Sequence, residues 1–263
     1  TQPGYRGEAI GKITLDLNQT ASGYQFTASK AVLVKTGGSI ASPTILQSAA
    51  DLNQTVETWL DQPLAHVEGD MRIQAPFVAR VHEVPYIEFI QKVQMASTDT
   101  DISGTALFNN EGRGFGETID MRDVVTNYIY PNTLAVLRLT GADLKAALEQ
   151  CAEYFSLDAD GKLTVTPRFE RPKPQHYNYD MYQGIDYTLD IHQPVGSRVT
   201  RLLYHGAQVQ PTQTYDVAVN QYRAAGGGNF KMFGPDKVIR ENLQEHPLIK
   251  ATADQNFNVL PSM

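Results

Sequence analysis

The sequence predicts an α+β domain with a mixed β-sheet, preceded by a β-hairpin and a linker helix. Stretches that alternate polar and apolar residues, as strands do, recur along the 263 residues. Segments with helical periodicity lie among them, but without the strict strand–helix alternation of a parallel α/β fold. The hydrophobic content of 41% and charged content of 19% are those of an ordinary globular chain.

The N-terminal part predicts the hairpin and the helix. Residues 11–17 (GKITLDL) and 24–35 (YQFTASKAVLVK) alternate around a polar turn, which indicates two strands. A hairpin is only marginally stable in water, so we expect this one to lean on another part of the protein. Residues 43–62 carry apolar side chains at helical spacing, with Ser39 or Ser42 as the cap and Pro63 after the last turn.

The rest of the chain mixes both patterns. Helices are predicted at 85–97, from 121 onward, at 141–155 and at 246–255, and strands at 101–110, 133–140, 182–191, 199–206, 207–209 and 214–222. The Pro-rich segment 156–176 indicates an excursion from this pattern.

Bulk properties exclude several classes of protein. The net charge of −7 argues against binding a nucleic-acid polymer, and no apolar run is long enough to span a membrane. Cys151 is the single cysteine, so no internal disulfide is possible, and its apolar helical surroundings predict a small core residue. The chain begins at Thr1 without a signal-peptide pattern, as expected of a mature fragment or of a piece cut from a longer protein.

Several catalytic motifs do not occur. Gly112, Gly114 and Gly116 form G-x-G-x-G rather than the dinucleotide fingerprint, and neither a phosphate loop nor a G-x-S-x-G elbow is present. The six histidines are scattered, so no metal site carried by this chain alone is expected. Two glycine-rich loops beside aromatic residues suit a small-molecule cleft, although ordinary turns and core tyrosines are an equal alternative.

Four stretches together resemble one family. They are NNEGRG (109–114), YPNTLAVLRLTGADLKAALE (130–149), YNYDMYQGIDYTLDI (177–191) and YDVAVNQYRAAGGGNF (215–230). They resemble the C-terminal domain of the bacterial 5′-nucleotidase superfamily. The Tyr-Pro-Asn-Thr and Tyr-Asn-Tyr-Asp forms are most similar to the branch of bifunctional 2′,3′-cyclic-nucleotide 2′-phosphodiesterase/3′-nucleotidases.

The resemblance implies a two-domain hydrolase. An N-terminal metallophosphatase domain would hold two divalent metal ions, and a helix would link it to a C-terminal domain that binds the nucleoside. Residues 1–40 then correspond to the closing strands of the metallophosphatase domain, 41–64 to the interdomain linker helix and 65–263 to the substrate-binding domain. The family's metal motifs do not occur in this sequence, so no catalytic residue and no cofactor are expected in this fragment, which alone would be inactive. The family is exported, which implies a periplasmic, cell-wall-associated or secreted protein.

The resemblance also implies individual roles. Tyr130 and Tyr222 would sandwich the base, Asn132 would contact it unless it only forms an Asx turn, and Arg113 would reach toward the phosphate. The glycines would let the backbone turn beneath Tyr222. The further expected substrate contacts are Asn109, Gly227, Gly228 and Asn229, with Asn229 substituting for an Asp that the 5′-nucleotidase branch has at the position of Gly228. Tyr177, Asn178 and Asp180 would either line the pocket or fix its loop. Tyr182 and Tyr187 are expected in the core.

Three alternatives remain at this stage. The chain could be the C-terminal domain of a 5′-nucleotidase or UDP-sugar hydrolase. It could be a nucleoside-binding module without enzymatic activity, although the N-terminal hairpin argues against a module that stands alone. It could also be a structural domain whose aromatic residues are only core.

Overall fold

A computed structural model describes residues 2–4 and 7–244, with the side chains of Asn242 and Gln244 left out. The helix predicted at 246–255 lies outside the described residues. The chain divides into two compact units, Thr1–Glu57 and Thr58–Met263, and the division falls near the end of a helix.

The first unit holds a long hairpin and most of that helix. Strands β1 (Ala9–Thr20) and β2 (Gly23–Lys35) pair antiparallel, with a bulge between Asp16 and Leu17, and α1 spans Pro43–Leu60. The hairpin and the helix match the predicted positions closely. Within this unit the apolar side chains of the strands are exposed on both faces, including Ile10, Ile13, Leu15, Leu17 and Phe26.

The second unit contains the remaining elements. Its helices are α2 (Pro76–His82), α3 (Pro85–Thr98), α4 (Met121–Asn127), α5 (Gly141–Ala152) and α6 (Gln221–Ala224). Its strands are β3 (Pro63–His66), β4 (Met71–Arg72), β5 (Ile102–Ala106), β6 (Gly114–Phe115), β7 (Thr118–Asp120), β8 (Thr133–Thr140), β9 (Phe155–Leu157), β10 (Leu163–Val165), β11 (Asp180–Gln183), β12 (Asp186–Leu189), β13 (Val199–Tyr204), β14 (Ala207–Gln208), β15 (Thr214–Asn220) and β16 (Val238–Gln244).

A five-stranded sheet in the order β11-β5-β15-β8-β16 forms the centre of this unit. Strand β15 runs parallel to β5, and the other three neighbouring pairs are antiparallel, so the sheet is mixed. The predicted α+β class with a mixed sheet is therefore confirmed. The middle strands are buried almost throughout, as expected for a sheet covered on both faces.

Local sequence explains where the main elements begin. A capping box between Thr140 and Asp143 starts α5, because each side chain accepts from the other residue's backbone N–H. Proline occupies the first position of α2 and α3, where its missing N–H costs nothing. Cys151 is buried in α5, which confirms it as a core residue.

The structure corrects several sequence-based boundaries. The strand predicted at 214–222 ends at Asn220, because the Asn220 side chain accepts from the backbone N–H of Arg223 and starts α6. The strand predicted at 182–191 is two strands in different sheets, separated by Gly184 at φ 86°. The helix predicted to reach 155 ends at Ala152, and β9 follows it.

Several elements were not predicted from the sequence, among them the short strands β3, β4, β6 and β7. Helix α2 is another, and it is short. The segment 156–176, which was interpreted as irregular, includes most of the β9–β10 hairpin. Strand β16 completes one edge of the central sheet beside β8, although its sequence does not alternate regularly and its pairing is irregular.

The order of the strands brings two distant segments together. Strand β8 begins at Thr133, its antiparallel neighbour β15 ends at Asn220, and Asn220 pairs with Leu134. In antiparallel neighbours the start of one strand lies beside the end of the other. A hydrogen bond of 2.6 Å from Thr133 Oγ1 to Gln221 Oε1 joins the flanking segments.

Candidate functional site

A cavity of about 280 Å³ lies where β8 begins and β15 ends. Residues from four separate segments line it: Phe108, Tyr130, Asn132, Lys173, Tyr177, Asn220, Tyr222 and Arg223. Four of these eight residues are aromatic. The cavity therefore combines ring surfaces with a few polar groups, which is the usual composition of a small-molecule site.

Tyr130 and Tyr222 are partly exposed at this cavity. Their exposed fractions are 43% and 47%, so neither ring is a core residue, unlike Tyr182 at 1%. Tyr177 lies next to Tyr222, with ring centroids 6.5 Å apart and the planes inclined by 74°. The predicted core position holds for Tyr182, whereas Tyr187 is half-buried and packs against the core.

The segment that carries Tyr222, residues 220–228, is called the Tyr222 wall here. Arg223 is buried in it and forms two hydrogen bonds to the carboxylate of Asp180, of 2.7 and 2.9 Å. The guanidinium also donates to the carbonyl oxygens of Tyr177 and Gly227. Burial alone would lower the pKa of Arg223, but the charge and hydrogen bonds of Asp180 outweigh it and raise that pKa. Arg223 is therefore charged, and its ion pair with Asp180 fixes the loop that carries Tyr222.

The glycine run fits closely beneath Tyr222. A Cβ atom added at Gly227 would lie 2.4 Å from the Tyr222 carbonyl oxygen and 2.6 Å from its ring carbon Cζ. Gly228 has φ 75°, and a Cβ there would lie 2.3 Å from Asn178 Oδ1. The run is therefore needed for both close approach and backbone conformation, as the sequence predicts.

The opposite side, formed by Phe108 and residues 128–132, is called the Tyr130 wall. The Phe108 ring meets Tyr130 edge-on at 5.3 Å and Tyr128 at 5.0 Å between centroids. After Pro131 the backbone N–H of Asn132 donates to the Tyr130 carbonyl at 2.8 Å, a three-residue turn. Within the described residues the Asn132 side chain forms no hydrogen bond, so this turn does not use its amide.

A buried polar network anchors the loop that carries Phe108. Arg80 donates to the carbonyl oxygens of Leu107 and Asn109 and to Asn110 Oδ1. Because Asn110 Oδ1 accepts from Arg80, its Nδ2 faces His176 Nε2 at 3.0 Å, and that nitrogen accepts.

His176 is neutral in this arrangement. Its Nδ1–H donates to the Tyr154 hydroxyl at 2.7 Å. Burial and the nearby charge of Arg80 lower the pKa of His176, which favours the neutral ring that the network requires.

Other predicted site residues lie outside this cavity lining. Asp180 is buried in the ion pair, and Asn109 Oδ1 accepts from the backbone N–H groups of Glu111 and Gly112, so both fix loops. Arg113 is exposed, and its backbone N–H donates to Asn127 Oδ1. A second cavity, of about 390 Å³, contains Asn178, Gly228 and Asn229 in its lining. Gly227 lies beneath Tyr222 without lining the first cavity.

The sequence argument missed four lining residues: Phe108, Lys173, Asn220 and Arg223. A signal existed for Arg223, which directly follows Tyr222 and is the kind of cation that a buried Asp180 requires. Phe108 follows a buried strand and Lys173 lies in the segment interpreted as an excursion, so no periodicity indicated either one.

Larger cavities also occur among the described residues. One of them, of about 710 Å³ beside α5 and β13, has no aromatic ring in its lining, whereas two others, of about 550 and 530 Å³, do. The described part of the chain contains no group of three or more His, Cys, Asp and Glu side chains placed to hold a metal ion. No helix within it combines the length and apolar character needed to span a bilayer.

The chain is similar to several known proteins. The family model described as "5'-nucleotidase, C-terminal domain" matches residues 63–235. A Bacillus subtilis protein named "Trifunctional nucleotide phosphoesterase protein YfkN" is 24% identical over 303 residues, covering 98% of this chain and 20% of that protein. A Haemophilus influenzae 2',3'-cyclic-nucleotide 2'-phosphodiesterase/3'-nucleotidase is also 24% identical, with 98% and 46% covered.

A solved structure is similar over almost the whole chain. It is a Staphylococcus aureus protein, provisionally named 5'-nucleotidase and bound to alpha-ketoglutarate, with 33% identity and a TM-score of 0.83. The similarity covers 98% of this chain and 50% of that one. The chain thus spans half or less of the length of these three proteins.

Proposed function

Because this chain belongs to the family of 5′-nucleotidase C-terminal domains, we propose that it is the substrate-recognition part of a nucleotide phosphohydrolase. Its substrates would be 2′,3′-cyclic nucleotides and 3′-nucleotides. The base would lie between Tyr130 and Tyr222, and an N-terminal metallophosphatase domain of the same polypeptide would carry out hydrolysis. This chain alone would bind nucleosides without cleaving phosphate esters.

The observation that carries the proposal is the pair of half-exposed tyrosines at one cavity. Two rings from the ends of neighbouring strands provide apolar faces on which a planar base can stack. The volume of about 280 Å³ suits one base, since it is just below the roughly 300–1,000 Å³ of pockets for larger ligands. Stacking tolerates any base, so the clamp gives affinity without strict selection.

The residues of this chain would act by binding and orienting. Tyr130 and Tyr222 would fix the plane of the base, and the Asn132 amide would contact its edge. Arg113, exposed on its loop, would reach toward the phosphate, for which a guanidinium fork is well suited. The two divalent metal ions of the N-terminal domain would activate water and neutralise the phosphoryl charge. Holding the nucleoside fixed would reduce the entropic cost of that reaction.

The choice of substrate rests on the relatives. Relatives from Haemophilus influenzae, Yersinia enterocolitica and Salmonella typhimurium are named 2',3'-cyclic-nucleotide 2'-phosphodiesterase/3'-nucleotidase. The name 5'-nucleotidase of the Staphylococcus aureus protein, at higher identity, favours 5′-nucleotides as the second candidate. Export to the periplasm, cell wall or medium is part of the proposal.

Calorimetric titration without metal tests the recognition role. The 263-residue chain is titrated with adenosine and with 3′-AMP, beside Tyr130→Ala and Tyr222→Ala. Each substitution should weaken binding by about 5- to 150-fold, because stacking on one ring contributes about 1–3 kcal/mol. Tyr24→Ala, which removes an exposed tyrosine from the hairpin, is the matched control and should bind as wild type does.

Circular dichroism separates loss of binding from loss of folding. Both cavity variants should remain folded, since their rings are about half exposed. Folded Tyr130→Ala and Tyr222→Ala variants that bind as tightly as the control would show that the nucleoside is not held between these rings.

A further inference from the structure

Among the described residues that line the cavity, Lys173 is the only lysine. Its Nζ lies 5.8 Å from the centroid of the Tyr177 ring, a distance at which an ammonium is attracted to the ring face. Pro172 and Pro174 flank it. Proline fixes its own φ and restricts the residue before it to extended conformations, so the backbone of Lys173 has little freedom.

Among the described residues, no negative side chain in the lining of the cavity balances this charge. None of the eight lining residues is a carboxylate, and in the described part of the chain Lys173 forms no ion pair. An ammonium group has three donors and no acceptor. A ligand edge near Lys173 therefore meets a group that can only donate.

The other polar groups of the cavity discriminate less between bases. Asn220 Oδ1 already accepts from the Arg223 backbone, and the Arg223 guanidinium is bound to Asp180 and to two carbonyls. The Asn132 amide can both donate and accept, so it can pair with either kind of base edge.

We infer that Lys173 makes this site prefer nucleosides whose base carries a carbonyl at position 6 of a purine or position 4 of a pyrimidine, such as hypoxanthine, guanine and uracil, over adenine and cytosine, which carry an amino group there. The inference rests on the proposed nucleoside-binding function and adds a base preference to it. The O6 and O4 carbonyls accept hydrogen bonds, whereas the N6 and N4 amino groups donate them. A carbonyl gains a charge-assisted bond from Lys173, and an amino group at the same position meets a second donor.

Matched pairs of nucleosides measure this preference. Inosine is compared with adenosine, and uridine with cytidine, since each pair exchanges an exocyclic carbonyl for an amino group, together with the proton on the adjacent ring nitrogen. Wild-type chain should bind the carbonyl member about tenfold more tightly, as expected for a hydrogen bond from a charged donor. Lys173→Met should bring both ratios close to one, and Lys173→Arg, which keeps a charged donor, should preserve a preference.

Lys145→Met is the control variant, because it removes an exposed lysine from α5 outside this cavity. It should leave both ratios unchanged. Equal affinities within each pair in the wild type would overturn the inference while leaving the nucleoside-binding function intact. Preferences that persist in Lys173→Met would also overturn it.

Two further outcomes separate other roles of this lysine. If Lys173→Met weakens 3′-IMP and 3′-AMP equally but leaves the nucleoside ratios unchanged, Lys173 acts on the phosphate and the inference is wrong. If the wild type binds none of the four nucleosides, the proposed function fails and the base preference fails with it.

Discussion

A buried ion pair holds the Tyr222 wall, whereas the Tyr130 wall rests on the edges of aromatic rings. Arg223 and Asp180 are 2% and 3% exposed, and their two hydrogen bonds fix the segment directly behind Tyr222. The ring centroids of Tyr130 and Phe108 are 5.3 Å apart. The loop of Phe108 is in turn anchored by hydrogen bonds of Arg80 and His176. The same cavity thus has one wall fixed by charge and glycine packing and another that depends on weaker ring contacts.

The two walls should therefore respond differently to substitution. Breaking a buried ion pair leaves an uncompensated charge and costs much folding free energy. Substitution of either partner should therefore disrupt the Tyr222 wall as a whole. An aromatic edge contact contributes only about 0.5–1.5 kcal/mol, so the Tyr130 wall should respond gradually.

The largest effect is expected from the ion pair. Arg223→Met leaves Asp180 buried without its partner and should lower the free energy of unfolding by about 3–5 kcal/mol, as measured by urea denaturation. The control is Arg138→Met, which breaks the half-exposed pair of Arg138 with Asp216 and should cost no more than about 1 kcal/mol. Similar losses in the two variants would contradict the view that the Tyr222 wall is fixed by a buried charge.

Packing beneath Tyr222 should give the next largest effect. Gly227→Ala places a methyl group against the Tyr222 ring and backbone, so it should cost about 1–3 kcal/mol in stability and also weaken nucleoside binding. Gly116→Ala is the matched control, because a Cβ there meets no atom within 4 Å. A Gly227→Ala chain with the stability and affinity of this control would show that the glycine run does not shape the wall.

A smaller effect is expected on the opposite side. Phe108→Leu keeps an apolar side chain but removes the ring edge beside Tyr130, so adenosine should bind about 2- to 12-fold more weakly by calorimetry. Phe77→Leu, which alters a ring pair with Phe155 outside this cavity, should leave affinity unchanged. Equal affinities in the two variants would mean that Phe108 does not support the Tyr130 wall.

Low pH should disturb the Tyr130 wall more than the Tyr222 wall, and the expected loss of nucleoside affinity is modest. The fold lowers the pKa of His176 below its ordinary value of 6.5, so its stabilising contribution is complete above that pH and is lost as pH falls through the lowered pKa. Protonated His176 presents a donor to Asn110 Nδ2, which loosens the loop of Phe108. Nucleoside affinity should therefore fall between pH 7.5 and pH 5 in the wild type and less in His176→Gln. The same pH profile in both chains would exclude His176 as the cause.

The sequence predicted the framework of the site better than its details. The patterns at 133–140 and 85–97 gave β8 and most of α3, because long buried elements follow periodicity closely. The end of β15 was predicted two residues too late, because the apolar alternation does not reveal that Asn220 caps a helix. Tyr130 and Tyr222 came from the family resemblance, whereas Phe108, Lys173 and Arg223 depend on contacts between distant segments that no local pattern contains.

Roles proposed for the other residues have different structural support. Asp180 and Asn109 hold loops in place, while Asn178, Gly228 and Asn229 share a second cavity. Their contacts with substrate stay predictions, as does that of Arg113. The boundaries 1–40, 41–64 and 65–263 of the predicted domains and the two metal ions of the N-terminal domain also stay predictions.

A crystal structure of the chain grown with 3′-AMP would show whether one base lies between Tyr130 and Tyr222. We expect electron density for the adenine between the two rings, in contact with both faces and with its edge toward Asn132 and Lys173. Adenine bound elsewhere on the chain, with the cavity between the two tyrosines occupied only by solvent, would contradict this expectation.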